Sequence, residues 1–220
     1  LRVLEIGCGE GGNLKPFLQL GCQCVGVDID VAQLEKAKQY LSDYSHEEKL
    51  TLIARDIYTV TPDEIGTFDI IMLRDVIEHI PNQERFMHYL KDFMHGESIV
   101  FLGFPVWCNP FGGHQQICRN KLLAHMPWLH LFPNALYKKV LHWGKEKSGT
   151  IKGLLEIKAT GISLHRFEKI LSKEQYQVLC HTHYLINPNY EIKFGLRPRI
   201  VPKLLQIPYL QDFYTTAMYD

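Results

Sequence analysis

The stretch Leu4-Glu5-Ile6-Gly7-Cys8-Gly9-Glu10-Gly11-Gly12 constrains this chain more than any other. Arg2 to Ile6 reads as a short, mostly apolar strand, and glycines at 7, 9, 11 and 12 let the following backbone turn sharply and approach a ligand closely. A strand, a glycine turn and then a helix make a nucleotide-binding turn. Two patterns fit it. Gly7, Gly9 and Gly12 satisfy G-x-G-x-x-G, the dinucleotide pattern, while Glu5, Gly7, Gly9 and Gly11 satisfy E-x-G-x-G-x-G. A dinucleotide site holds a pyrophosphate at the helix N-terminus, where the Glu5 carboxylate would set negative charge beside negative charge. Glu5 therefore favours a cofactor with a cationic end and no phosphate.

The spacing downstream supports an adenosine ligand. Gln23 to Asp28 reads as a buried strand ending in an acid 21 residues beyond Gly7. A carboxylate at the end of the second parallel strand accepts hydrogen bonds from ribose hydroxyls, and Ile29 follows it at the strand edge. Val31 to Ser42 carries Leu34, Ala37 and Leu41 on one helical face; Leu50 to Ala54 forms a third strand, with Asp56 and Ile57 just past its end. Thr67 to Pro81, TFDIIMLRDVIEHIP, is the second informative stretch, with strand four running through Leu73.

At Glu5 to Gly11 and again at Thr67 to Pro81 the chain resembles the class I S-adenosylmethionine-dependent methyltransferases, the second segment resembling the quinone-biosynthesis-like, small-molecule group. The resemblance implies S-adenosylmethionine as cofactor and S-adenosylhomocysteine as product. Glu5, Gly7, Gly9 and Gly11 would hold its cationic amino-acid end, Asp28 and Ile29 would lie at the ribose, and Asp56 would meet the adenine amino group. Ile57 would lie against the adenine ring, and Leu73 and Arg74 near the methionine end.

The expected fold is α/β, a doubly wound, seven-stranded, mostly parallel sheet of the Rossmann-like methyltransferase type, with its last strand antiparallel between strands five and six. Residues 1–220 are taken as one domain. Asn82 would cap a helix stopped by Gly96, and strand five would be Ser98 to Phe104. Residues 105–161 break the alternation and are too long for a plain connection. They read as a cap insertion with helices at Arg119 to His125, Asn134 to Trp143 and Gly149 to Ala159. Trp107, Phe111, Trp128, Phe132, Tyr137 and Trp143 would line or support it. Ser163 caps a further helix, Tyr176 to Ile186 reads as a long strand, Lys193 to Arg199 as a surface connection, and Phe213 to Tyr219 as a closing β-rich segment.

The acceptor is read as a small molecule with an apolar or planar body, methylated at oxygen. The 24 basic and 24 acidic residues cancel, so no broad electrostatic footprint for nucleic acid or an anionic membrane is present. The candidate catalytic residue is His114, in Gly112-Gly113-His114-Gln115-Gln116; an imidazole with a pKa of about 6.5 suits proton removal from a hydroxyl. His79, beside Glu78, is the alternative base. No metal is expected: the scattered His and Cys residues show no closed ligand spacing, and His181-Thr182-His183 lacks a third ligand. The six cysteines form no C-x-x-C framework and read as reduced thiols of a cytoplasmic protein. No apolar run approaches the roughly 18 to 20 residues of a membrane span. The chain opens without Met on its first strand, leaving room for a preceding segment over the cofactor.

Two rival functions are weighed. An NAD(P)-dependent oxidoreductase would use the G-x-G-x-x-G pattern, but Tyr40 is followed by Asp43 and Tyr44 rather than the Tyr-x-x-x-Lys pair of short-chain enzymes. A non-catalytic S-adenosylmethionine-binding module would keep Glu5, Asp28 and Asp56 without turnover.

Overall fold

The computed structural model describes residues 1–47 and 49–219. The chain divides into two compact units, Leu1–Val76 with Arg85–Leu102, and Ile77–Glu84 with Gly103–Asp220. The sequence reading treats the chain as one domain; residues 105–161 fall in the second unit together with everything after them.

In the first unit β1 (Arg2–Ile6), α1 (Leu14–Gln19), β2 (Gln23–Asp28), α2 (Val31–Tyr40), β3 (Leu50–Ala54), α3 (Pro62–Ile65), β4 (Phe68–Arg74), α4 (Gln83–Leu90) and β5 (Met94–Phe104) follow in order, although α4 begins and β5 ends in the second unit. The strand order is β3-β2-β1-β4-β5. Parallel registers set Glu5 opposite Gly26 and Met72, and Ile6 opposite Val27 and Leu73, so the C-terminal ends of β1, β2 and β4 lie side by side. Val3, Leu4 and Ile6 are all buried, the near-continuous apolar run of a strand covered on both faces. One core cluster joins Val3, Leu14, Leu18, Leu34, Leu41 and Met72 with the thiols of Cys8, Cys22 and Cys24. Each fully buried leucine there contributes about 1.5–3 kcal/mol, and the free thiols serve as small apolar filling.

The second unit holds α5 (Lys121–His125), α6 (Asn134–Trp143), α7 (Ser148–Thr160), α8 (Leu164–Lys173), β6 (Thr182–Ile186), α9 (Asn189–Phe194), β7 (Arg199–Ile200) and β8 (Ala217–Tyr219). Residues from α5, α6 and α7 share a core of Leu123, Tyr137, Leu141, Ile151 and Leu154. Ser163 caps α8 by accepting from Arg166 N at 3.2 Å, and Leu164, Phe167 and Leu171 turn inward. Strand β8 pairs antiparallel with the end of β5 on one side and with β6 on the other, the insertion expected for the last strand.

Three expectations need correcting. The sheet has five parallel strands extended by three more through antiparallel pairings, eight among the described residues rather than seven, because Arg199–Ile200 pairs with Tyr184 and Ile186 across a bulge where a surface connection was expected. The long strand from Tyr176 shortens to Thr182–Ile186, since β8 offers ladder partners only from Thr182 onward. Strand β5 starts at Met94 and runs through Gly96, while α4 ends at Leu90 and gives way to a tight turn at Lys91–Phe93. Ser98 Oγ stitches this early part of β5 to β4 by donating to Phe68 O at 2.6 Å. Among the described residues no helix is long and apolar enough to cross a membrane.

Candidate functional site

The glycine turn is built on β1. Gly7, Gly9 and Gly11 have φ of 71°, 49° and 76°, the left-handed region that favours glycine, and Gly7 N donates to Val27 O at 2.7 Å. A Cβ on Gly7 would fall 2.3 Å from Val76 Cγ2, and one on Gly11 2.6 Å from Leu41 Cδ1. On Gly9 it would meet nothing within 4 Å. Gly7 and Gly11 are thus required by packing, whereas Gly9 leaves its backbone open to a ligand.

Asp28 ties this turn to the end of β2. Its Oδ2 accepts from Gly9 N and its Oδ1 from Asp30 N, both at 2.8 Å. Each oxygen keeps acceptor capacity for a ligand hydroxyl. Ile29, beside it, is 75% exposed, an apolar face offered to whatever lies there.

Glu5 is 1% exposed. Its Oε1 accepts from Asn13 Nδ2 at 2.7 Å, and Asn13 Oδ1 in turn accepts from Arg74 Nη1 at 3.1 Å. The other oxygen, Oε2, is buried without a hydrogen-bond partner. Burial pushes the Glu5 carboxyl up to about 7; the Asn13 hydrogen bond and Arg74 pull it down, and Asp28 adds a smaller upward push. An orphaned buried acceptor beside an open glycine fits a ligand that brings a cation, and a pyrophosphate would raise the cost of ionising Glu5 further. Asn13 is a link that the sequence does not announce; its one signal is a polar amide directly after the glycine run.

The remaining positions divide. Asp56 is exposed, and its Oδ1 caps the tight turn Ile57–Thr59 by accepting from Tyr58 N at 3.0 Å. The Ile57 and Leu73 side chains are buried, so Leu73 offers a ligand its backbone at the end of β4.

The second unit brings Glu78, His79 and His114 together. Glu78 and His79 sit on a tight turn, Ile77–His79, whose Ile77 carbonyl accepts from Gln83 Nε2 at 3.2 Å; the same amide also donates to Thr160 O. His114 has φ of 56° in a loop held by Gln115, whose Nε2 donates to Pro110 O at 2.8 Å and to Met126 O at 3.1 Å. The His79 and His114 rings meet edge to face with centroids 5.1 Å apart. Burial, reinforced by His79 and His130, lowers the His114 imidazole to about 4, which keeps it neutral at pH 7. His130 is fully buried, with Nε2 2.7 Å from Trp107 O, and the base of its side chain fills the space beside Gly113: a Cβ there would lie 2.2 Å from His130 Cβ. Of the aromatics expected between 105 and 161, Tyr137 belongs to the helical core, and Trp143 is 70% exposed.

Residues 4–97 match the methyltransferase-domain family. A ubiquinone biosynthesis O-methyltransferase of Rhodopseudomonas palustris (strain BisB5) is 38% identical over 105 residues, covering 46% of this chain and 39% of that protein. A norajmaline N-methyltransferase of Rauvolfia serpentina is 30% identical over 105 residues, 47% of this chain and 36% of that protein. The chain thus spans less than half the length of these relatives. A plantazolicin methyltransferase, crystallised with a triazolic desmethylPZN analogue and S-adenosylhomocysteine, aligns with all of this chain and 74% of its own, at a TM-score of 0.56 and 14% identity, a likeness of fold. The parallel strand order, the glycine turn and the family match fall on the same residues, and over residues 4–97 the chain is similar to the class I S-adenosylmethionine-dependent methyltransferases.

Proposed function

We propose that this protein transfers a methyl group from S-adenosylmethionine to an oxygen of a small-molecule acceptor with an apolar or planar body. The observation that carries the cofactor half of this reading is the pairing of Glu5 Oε2, buried and unpartnered, with Gly9, open to approach. Glu5, Gly7, Gly9 and Gly11 are assigned to the amino-acid end, with Leu73 and Arg74 close by. Asp28 and Ile29 are assigned to the ribose, and Asp56 and Ile57 to the adenine. The oxygen acceptor is supported by the ubiquinone-pathway relatives; the norajmaline relative favours a second reading, transfer to an amine nitrogen.

When bound, S-adenosylmethionine supplies a methyl group on a sulfonium that departs as a neutral thioether, so the protein's main task is alignment. The Asp28 carboxylate, fixed by two backbone donors, positions the ribose. Asn13 and Arg74 hold the Glu5 carboxylate in place for a cation. His114 is assigned to the acceptor hydroxyl, with His79 beside it.

The test is calorimetric titration with S-adenosylmethionine, S-adenosylhomocysteine and NADPH, alongside Asp28→Ala. Mass spectrometry then follows methyl transfer to phenols, catechols, quinols and matched amines. Micromolar binding of the first two ligands, lost in the variant, and methylation of a hydroxyl are expected. Binding of NADPH alone would replace the reading with a nicotinamide enzyme; methylation of amines only would move it to nitrogen.

A further inference from the structure

The second unit carries a loop that is turned inside out. Between β7 and β8, residues 202–213 point apolar side chains outward: Leu204, Leu205, Ile207, Tyr209, Leu210 and Phe213 are all exposed, Leu204 at 88%. Polar side chains go inward, since Gln211 and Asp212 are buried. Gln211 Oε1 lies 3.1 Å from His183 Nδ1 on β6, and Asp212 accepts from the backbone N–H of Leu164 at the start of α8. A loop made for water has the opposite arrangement, because every leucine left outside forgoes its burial.

Hydrogen bonds fix this inversion in place. Gln206 Nε2 donates to Val201 O at 3.1 Å, Gln211 N to Ile207 O at 2.9 Å, and the Tyr214 hydroxyl to Leu205 O. The Tyr209 ring leans on His165 with centroids 4.9 Å apart. Nine of the 24 large apolar side chains exposed among the described residues fall between Ile192 and Phe213, a concentration that marks an interaction surface.

Charge selects the partner. The chain as a whole is balanced, but residues 192–213 contain Lys193, Arg197, Arg199 and Lys203 against a single acid, Asp212, which is buried. Arg197, Arg199 and Lys203 are exposed. A second copy of the chain is a poor occupant. Strand β7 is the edge of the sheet, yet Pro198 and Pro202 flank it and withhold the donors that strand addition needs. A two-fold contact would also set these cations against their own copies.

We propose that residues 196–213 dock this protein on the face of an anionic lipid bilayer. The outward leucines and Tyr209 enter the headgroup layer, and Arg197, Arg199 and Lys203 meet lipid phosphates, without spanning the membrane. The segment lies outside residues 4–97, so the match to the methyltransferase domain does not supply it.

The experiment floats the full chain with vesicles of phosphatidylcholine, alone or with about one third phosphatidylglycerol, at low and high salt. Leu204→Ser, the triple variant Arg197→Gln, Arg199→Gln, Lys203→Gln, and Leu20→Ser as an exposed control outside the segment are compared with the wild type. We expect flotation with the anionic vesicles that weakens with salt, falls about tenfold in Leu204→Ser and about 100-fold in the triple variant, and is unchanged in Leu20→Ser. All five positions are exposed, so circular dichroism should match the wild type throughout. Light scattering without vesicles follows the oligomeric state. No flotation with anionic vesicles, equal flotation with both lipids, or flotation indifferent to Leu204→Ser overturns the proposal. A dimer that Leu204→Ser splits also overturns it, in favour of a second copy on this surface.

Discussion

The side-chain amide of Asn13 donates to Glu5 across 2.7 Å, filling one oxygen of a carboxylate that is shut from solvent. It also accepts from Arg74, so one neutral residue favours the ionised form of a buried acid, against the push of burial, and orients a cation. Asn13→Ala removes a hydrogen bond to a group that is charged at high pH, a loss of about 1.5–3 kcal/mol when the acid is ionised. We expect S-adenosylmethionine affinity to fall by about tenfold or more at pH 8, measured calorimetrically.

The raised Glu5 carboxyl makes stability depend on pH. Its folded value is about 7 against an ordinary 4.5, so the folded chain keeps a proton that the unfolded chain gives up. The corresponding stability is fully present below pH 4.5 and is lost as the pH rises through about 7, roughly 3 kcal/mol at most. Glu5→Gln should therefore melt higher than wild type at pH 8 and about equally at pH 4, while binding the cofactor poorly. Equal melting shifts at both pH values would show that Glu5 does not titrate in this window.

Cofactor binding should itself move protons. A cation reaching Glu5 favours the carboxylate, so affinity should tighten as the pH climbs from 6 to 8. The observed enthalpy at pH 7 should change with the ionisation heat of the buffer, because a proton is released on binding. An enthalpy independent of buffer would remove Glu5 from the cationic end of the ligand.

Gly7→Ala and Gly9→Ala should separate folding from binding. Both force a side chain into left-handed backbone, a cost of about 1–2 kcal/mol, but only at Gly7 does the new Cβ strike a neighbour. Thermal unfolding should show Gly7→Ala as the more destabilised. Calorimetry should show Gly9→Ala folded yet impaired in cofactor binding by about 100-fold, some 2.7 kcal/mol.

Asp56→Ala probes the adenine end. The residue is exposed and caps one tight turn, so its removal should cost about 1 kcal/mol of stability or less. A drop in cofactor affinity of about tenfold, with the melting temperature nearly unchanged, is the expected outcome.

What was legible in the sequence was what local chemistry dictates. Gly7, Gly9 and Gly11 announced a left-handed turn, Asp28 stood at a strand end, and Asn134 to Trp143 showed its helical period with the same limits the structure gives it. What was not legible depends on partners distant in the chain. Arg199–Ile200 is a strand only because Tyr184 and Ile186 lie beside it. Met94 to Glu97 is too polar to read as a strand and becomes one by extending β5. Asn13 bridges residues at 5 and 74, and His114 meets His79; neither pairing leaves a periodic trace.

Gly113 and His130 constrain each other's history. Gly113 does not need glycine for its backbone angles; it is held to glycine because His130 Cβ and Cγ occupy the place its side chain would take. In any lineage descended from this sequence the two positions form one heritable character. Because every residue except glycine keeps a Cβ in that place, position 130 has to become glycine, or its backbone has to move, before 113 can gain a side chain, and the reverse order should be rare.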